Sequence, residues 1–442
     1  MEMNLSVDLD SLASSIAYAT LGTLLQKKRS IPLILTPSNL VNLRPENQLA
    51  LSLSQVPSSS LLYIDQLPIP PSELAGLGIK FALVDHNSLL SQFHSSETEK
   101  HDPVVAIIDH HVDEQKHMSA SPRIIQVPTG STSSLVAMQF APEWTASLSE
   151  DTVPAELATL LLTAGLIDTG GLKAGESSKT TATDRQAGEL LWKISGETVQ
   201  GMFPAASGGA TFTEASVSQE SLEEGKIPDA LQTLTKELLT AKFDVTNLSS
   251  RELLMRDYKE YTMSTSLEGK EVQVGLSTVP MGLGPWLSRE RDNDEGWEGL
   301  LEAIDDWMLE RGLDVEGILT TFREAASEDR ERGKGRREIL LVVRTSKDSV
   351  LSQEEAARLF KKLQSEMIAA DEVLELKSWP GKKAGATLRK ELKDLSLVRG
   401  DGSAQVDRWG DVWRQGNTGS TRKQVQPLIV SNGFAVSSDC KY

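Results

Sequence analysis

VVAIIDHHVDE, residues 104–114, runs five apolar residues straight into Asp109, His110 and His111. An apolar run with no polar alternation predicts a strand buried on both faces, as in a parallel sheet covered by helices. Two imidazoles at the tip of such a strand would point to opposite sides of it, and no apolar core accommodates both. The tip is therefore expected to meet a ligand. All six histidines of the 442-residue chain (His86, His94, His101, His110, His111 and His117) fall within residues 86–117, which concentrates the chemistry there.

Outward from this strand, IKFALVDHN (79–87) repeats the ending and puts Asp85 at its own tip. About 24 residues separate Asp85 from Asp109, enough for a crossover between neighbouring parallel strands, whose carboxyl ends open on one ligand crevice. IPLILT (31–36), LLYIDQL (61–67) and RIIQVP (123–128) predict further strands, while STSSLVAMQFA, PAELATLLLTAGLIDTGG and TATDRQAGELLWKISG predict helices, the second stopped by its Gly pair. The first part is thus expected to be α/β, a parallel sheet with helices on both faces, over residues 1–195. Residues 196–225, rich in Gly, Ser and Thr, are expected to be a linker. Residues 226–442 are expected to form a smaller α+β domain; within it the charged run 323–338 predicts a solvated helix end or loop.

The net charge of −18 excludes a general nucleic-acid binder but leaves room for a locally basic site. No apolar run approaches the roughly 20 residues of a membrane span and the first residues carry no secretory pattern, so a cytoplasmic protein without membrane contact is expected. The single cysteine, Cys440, excludes an internal disulfide framework and leaves oxygen and imidazole as metal donors.

Two more acidic segments fit the DHH tip. VDLDS offers Asp8 and Asp10, which in an extended segment would point the same way, or as a structural alternative Asp10 or Ser11 as a helix N-cap. GLIDTGG puts Asp168 at the end of an apolar helix, where an unpaired carboxylate is costly. Asp8, Asp10, Asp85, His110 and Asp168 together suit Mg²⁺ or Mn²⁺. GSTSS (130–134) reads first as a helix N-cap and second as an anion nest, His86 as a neighbour of the site, and His94, His101 and His117 as surface residues. The segment 377–393 carries Lys377, Lys382, Lys383, Arg389, Lys390 and Lys393, and reads either as a solvated helix or as a basic wall for a polyanion.

VDLDS, LVDHN, IIDHH, GSTSS with GLIDTGG, and STRKQVQPLI near the C-terminus resemble the DHH phosphoesterase superfamily, within it the branch of family II inorganic pyrophosphatases and fungal exopolyphosphatases. AKFDVTNLSSRELLMRDYKEY resembles the start of that branch's second domain. The resemblance implies an active site in a cleft between two domains, with two divalent cations, Mg²⁺ or Mn²⁺. It implies Asn4, Asp8, Asp10, Asp85, His110 and Asp168 as ligands, Asp85 bridging. His111 would touch nucleophile or substrate, with Asp109 supporting it, and Arg422, Lys423 and Lys242 would bind phosphate, Lys382 and Lys383 extending the basic surface.

Asn4 stands where the pyrophosphatases have a histidine, which favours Mg²⁺ and tilts the expected substrate toward inorganic polyphosphate. Only three residues precede Asn4, too few for the strand that precedes this segment in the family, so the first strand is expected to be missing or replaced. Alternative readings are a pyrophosphatase or short-nucleotide phosphodiesterase of the same fold, and a non-catalytic binding member.

Overall fold

The computed structural model describes residues 7–148, 152–173, 175, 178–202, 227–264, 270–291, 296–324, 333–345, 349–379 and 407–430. The chain divides into two compact units, one spanning Ser6–Asp244 and the other built on Val245–Tyr442.

In the first unit the strands are β1 (Leu33–Ile34), β2 (Leu62–Tyr63), β3 (Phe81–Val84), β4 (Val104–Asp109) and β5 (Arg123–Ile125). The helices are α1 (Leu9–Leu24), α2 (Pro45–Leu53), the short α3 (Ser96–Lys100), α4 (Thr132–Ser147), α5 (Ala155–Thr169), α6 (Ala182–Met202) and α7 (Asp229–Phe243). All five strands expected from the apolar runs are present, in two parallel pieces: β1 beside β2, and β3-β4-β5. The DHH strand is central in its sheet, and successive residues alternate between two cores. Val84 and Ile108 join the helical core of α1, α4, α5 and α7, whereas Leu83, Val104 and Ile107 join a second cluster with Leu74, Leu89 and Phe93.

Two features fix the helices around the strand ends. Helix α5 is apolar nearly all round, Leu157 to Ile167 being buried, as a helix in the middle of a layer must be. It stops at Gly170 (φ +66°), a left-handed position that glycine adopts without strain. Helix α1 starts at Asp8, whose side chain accepts from the Ser11 amide. Residue 7 is tied in by side chains, its N–H donating to Thr36 Oγ1 (2.8 Å) and its carbonyl accepting from Asn47 Nδ2 (3.1 Å). Asn4 and the rest of the expected first-strand position lie outside the described residues.

The structure divides the chain beyond the expected linker. Helix α6 continues to Met202, residues 203–226 lie outside the described residues, and α7 buries Ala230, Leu231, Leu234 and Leu238 in the core of the first unit.

The second unit is α+β, around a six-stranded mixed sheet in the order β10-β11-β9-β8-β7-β6. Its strands are β6 (Tyr258–Ser264), β7 (Glu271–Val279), β8 (Val315–Arg323), β9 (Gly335–Thr345), β10 (Leu376–Ser378) and β11 (Asp407–Gln415). Among the described residues of this sheet, only β7 and β8 run parallel. Helices Ser250–Arg256 and Gln353–Ala369 begin with reciprocal Ser–Glu capping boxes, Ser249 with Glu252 and Ser352 with Glu355. The run 323–338, expected as a loop or helix end, holds the paired ends of β8 and β9, Arg323 opposite Gly335; residues 325–332 lie outside the described residues.

In the middle of this sheet Glu316 is fully buried. Its Oε1 accepts from Ser277 Oγ (2.6 Å) and its Oε2 has no partner among the described residues. Burial pushes its pKa up to about 8 despite the hydrogen bonds from Ser277. The folded protein therefore keeps this proton where the unfolded chain has released it, and stability falls as pH rises from the ordinary carboxylate range toward 8. Glu316→Gln should be more stable than the parent by about 1–3 kcal/mol at pH 8 and nearly equal to it at pH 4.5, as read from urea unfolding; an equal difference at both pH values would contradict this.

Candidate metal centre

The site forms where β3 and β4 end. Asp85 follows β3 with φ +66°, a strained conformation for a residue with a side chain, and its amide donates to the Ile108 carbonyl (2.9 Å). Its Oδ2 accepts from Ser11 Oγ (2.5 Å) and its Oδ1 from Thr132 Oγ1 (3.0 Å), so α1 and α4 both hold it. Because β4 ends at Asp109, the next two residues leave the strand geometry. His110 and His111 are therefore not splayed to opposite sides as expected. Their rings lie edge to face at 4.5 Å and both approach Asp85 Oδ1, His110 Nε2 at 3.5 Å and His111 Nδ1 at 3.8 Å.

The two histidines have different hydrogen-bond partners. His110 donates Nδ1–H to the Thr129 carbonyl (3.1 Å), which leaves the Nε2 lone pair facing Asp85 and, at 3.9 Å, Asp10 Oδ2. His111 approaches Asp109 Oδ1 through Nδ1 (2.8 Å), and that contact pushes its pKa up, with burial opposing. Asp109 is buried, and burial alone would raise it. The contact with His111, the Asn87 amide (2.6 Å) and the backbone N–H groups of His110 and His111 hold it below the usual range instead. The His111 side chain is 55% exposed against 5% for Asp85, so the former can meet a solute.

Asp10 is held by the N-terminus of α4. Its Oδ2 accepts from the Thr132 amide (2.7 Å), and its Oδ1 from the Ser133 amide (2.7 Å), Ser131 Oγ (2.8 Å) and Ser14 Oγ (3.2 Å). The anion seated in GSTSS is thus the Asp10 carboxylate. Asp8 is the helix cap, so Asp8 and Asp10 are not two points of an extended segment, and the cap is neither Asp10 nor Ser11. Asp8 nonetheless lies close enough to raise Asp10, Asp85 and Asp168.

Burial and the neighbouring Asp10 and Asp8 push Asp85 and Asp168 well above the usual carboxylate range. Burial also pushes Asp8 up, but Arg44, the Ser11 amide and Lys242 outweigh it. Lys242 and Lys179 act on Asp168 in the same sense. Lys242 was expected near phosphate, whereas Arg44 and Lys179 carry no motif that would announce them.

His86, expected beside the site, donates Nδ1–H to the Val84 carbonyl (3.0 Å) and feels Asp109 and His111; burial lowers its pKa. His94 and His101 are exposed. His117 is not a free surface residue, for it contacts Asp102 (2.8 Å) and accepts from the Leu89 amide (3.1 Å). Asn4, Lys382 and Lys383 lie outside the described residues.

In the second unit Arg422 and Lys423 open helix Arg422–Val430. Arg422 donates to both the carbonyl and the carboxylate of Asp257 (3.0 Å each), and Lys423 is exposed.

The residues fit a cation. Among the described residues Asp85, His110 and His111 bring ligand atoms within 4.8 Å of one another, and the carboxylates around them repel until positive charge is supplied. Carboxylate oxygens and imidazole nitrogens are ordinary donors to a divalent cation.

The DHH family N-terminal domain matches residues 3–165, and the DHHA2 domain matches residues 236–431. The chain belongs to the DHH superfamily. It is similar to a protein of Schizosaccharomyces pombe named "Putative exopolyphosphatase", at 28% identity over 98% of this chain and 91% of that one. Among solved structures it resembles "Crystal structure of Methanococcus jannaschii putative family II inorganic pyrophosphatase", with 20% identity, a TM-score of 0.43, and coverage of 81% of this chain and 88% of that one.

If the DHH cluster holds divalent cations, adding Mg²⁺ or Mn²⁺ should raise the unfolding midpoint. At 100 times the dissociation constant the gain is about 2.7 kcal/mol. Asp85→Asn and His110→Ala should each remove most of that shift in differential scanning fluorimetry; a shift retained by both variants would place the cation elsewhere.

Proposed function

We propose that this DHH-superfamily chain is an exopolyphosphatase that hydrolyses the terminal phosphoanhydride bond of inorganic polyphosphate and releases orthophosphate. The approach of His110 Nε2 to Asp85 (3.5 Å) and Asp10 (3.9 Å), in a ring of buried carboxylates, carries this reading. The name of the Schizosaccharomyces pombe relative supports the choice of substrate.

Asp8, Asp10, Asp85, His110 and Asp168 would hold two divalent cations, Mg²⁺ or Mn²⁺. When bound, such ions supply positive charge against the phosphoryl oxygens and make a water more acidic. The chain's own groups do the rest. Asp109 orients His111 and favours its protonated form, so His111 can give a proton to the bridging oxygen as the P–O bond breaks. Lys242 places a fixed cation near Asp8 and Asp168, where a phosphate chain approaches a surface that would otherwise repel it. Arg422, its guanidinium steadied by Asp257, offers a bidentate fork to phosphate, and Lys423 a point charge.

Pyrophosphate hydrolysis is the second reading, favoured by the similarity of the strand-end cluster to what any phosphoanhydride requires. Phosphate release from long polyphosphate, tripolyphosphate, pyrophosphate and a cyclic dinucleotide, each with Mg²⁺ or Mn²⁺, separates them. Long polyphosphate should be turned over best. His111→Ala should lower kcat by about 10²-fold or more with KM little changed, and Asp168→Asn should lower both kcat and metal affinity. Pyrophosphate as the sole good substrate would overturn the ranking, and unchanged turnover by both variants would overturn the site.

A further inference from the structure

Behind the cluster lies a buried carboxylate that no motif announces. Asp184 stands in the first turn of α6 and is fully buried. Its Oδ2 accepts from the Gly130 amide (2.9 Å), the Thr181 amide (2.7 Å) and Thr181 Oγ1 (2.7 Å), while its Oδ1 has no partner among the described residues. The Gly130 amide and the Thr129 carbonyl belong to one peptide group, and that carbonyl is the acceptor of His110 Nδ1–H. A continuous path therefore runs from His110 through the Thr129–Gly130 peptide to Asp184. The peptide can approach so closely only because residue 130 is glycine: a Cβ there would lie 2.8 Å from Asp184 Oδ2, 2.7 Å from Thr169 Cγ2 and 3.0 Å from the Lys179 carbonyl.

The three residues that directly follow this peptide, Ser131, Thr132 and Ser133, supply the donors that seat Asp10 at the start of α4. The Thr181 turn held by Asp184 follows Lys179, which acts on Asp168. One carboxylate thus anchors the backbone that sets His110, Asp10 and the surroundings of Asp168.

We infer that Asp184 is a positioning residue of the metal centre: through the Thr129–Gly130 peptide it fixes His110 with Nδ1 protonated and Nε2 free to ligate, and holds the loop that presents Asp10. An anionic acceptor on the peptide N–H polarises the peptide and strengthens the carbonyl as acceptor for His110. The inference rests on the proposed cation-binding role of the cluster, and its test reads the histidine directly as well as the metal.

The full chain, with ¹⁵N-labelled histidine, would be compared by long-range ¹H–¹⁵N correlation in the metal-free state, the His110 signals being identified with a His110→Gln variant; Mn²⁺ affinity would be measured by calorimetry. The parent should show the Nδ1–H tautomer at His110. In Asp184→Ala the Nε2–H form should appear and Mn²⁺ affinity should fall about tenfold. Asp184→Asn keeps an oxygen for Gly130 but loses the charge, and should lie between the two. A folded Asp184→Ala with parental tautomer and affinity overturns the inference; if that variant fails to fold, Asp184→Asn with parental values does so. Should the parent bind no Mn²⁺ while Asp184→Ala still shifts the tautomer, the positioning role stands and the hydrolase reading falls.

Discussion

Like charges gathered out of water must be compensated. Two unit charges about 4 Å apart at an effective dielectric constant of 20 interact by roughly 4 kcal/mol, and Asp8, Asp10, Asp85 and Asp168 raise one another's cost through burial and mutual repulsion. Three local arrangements in the first unit answer that constraint. The parallel pairing of β3 with β4 brings Asp85 beside the DHH tip, the N-terminus of α4 lends its amides to Asp10, and Arg44, Lys179 and Lys242 supply partial counter-charge. Partial compensation is what a reversible cation site needs, since full internal neutralisation would leave nothing for the ion to do.

The two histidines show how differently adjacent residues can be held. His110 donates Nδ1–H to a backbone carbonyl, whereas His111 faces a carboxylate and stays open to solvent. The difference comes from what each Nδ1 meets, Thr129 in one case and Asp109 in the other. In the second unit, by contrast, buried acidic groups serve the fold: Asp305 meets Arg408 and Arg344, and burial pushes the Glu316 carboxyl up to about 8.

The five strands and helices α4, α5 and α6 of the first unit were legible from their apolar patterning, and Asp85, Asp109 and His110 stood out because a polar residue ending an apolar run has few structural excuses; α2 and α3 were not read. Nor was Asp184. Its role depends on a glycine 54 residues earlier in the chain coming within 2.9 Å, a tertiary contact with no periodic signature. The geometry of Asp8 and Asp10 was misjudged for a related reason: a DxD segment reads as extended until the helix start is fixed, and the helix begins at Leu9. Likewise α7 reads as the opening of the second domain, yet its apolar face is covered in the core of the first unit.

The proposed site gathers oxygens of Asp8, Asp10, Asp85 and Asp168 and the imidazole of His110 around divalent cations. Crystals grown with Mn²⁺ and measured for anomalous scattering test it most directly. Peaks are expected within ligand distance of Asp85, Asp10 and His110 Nε2; a map with its only peaks away from these side chains would rule out the site.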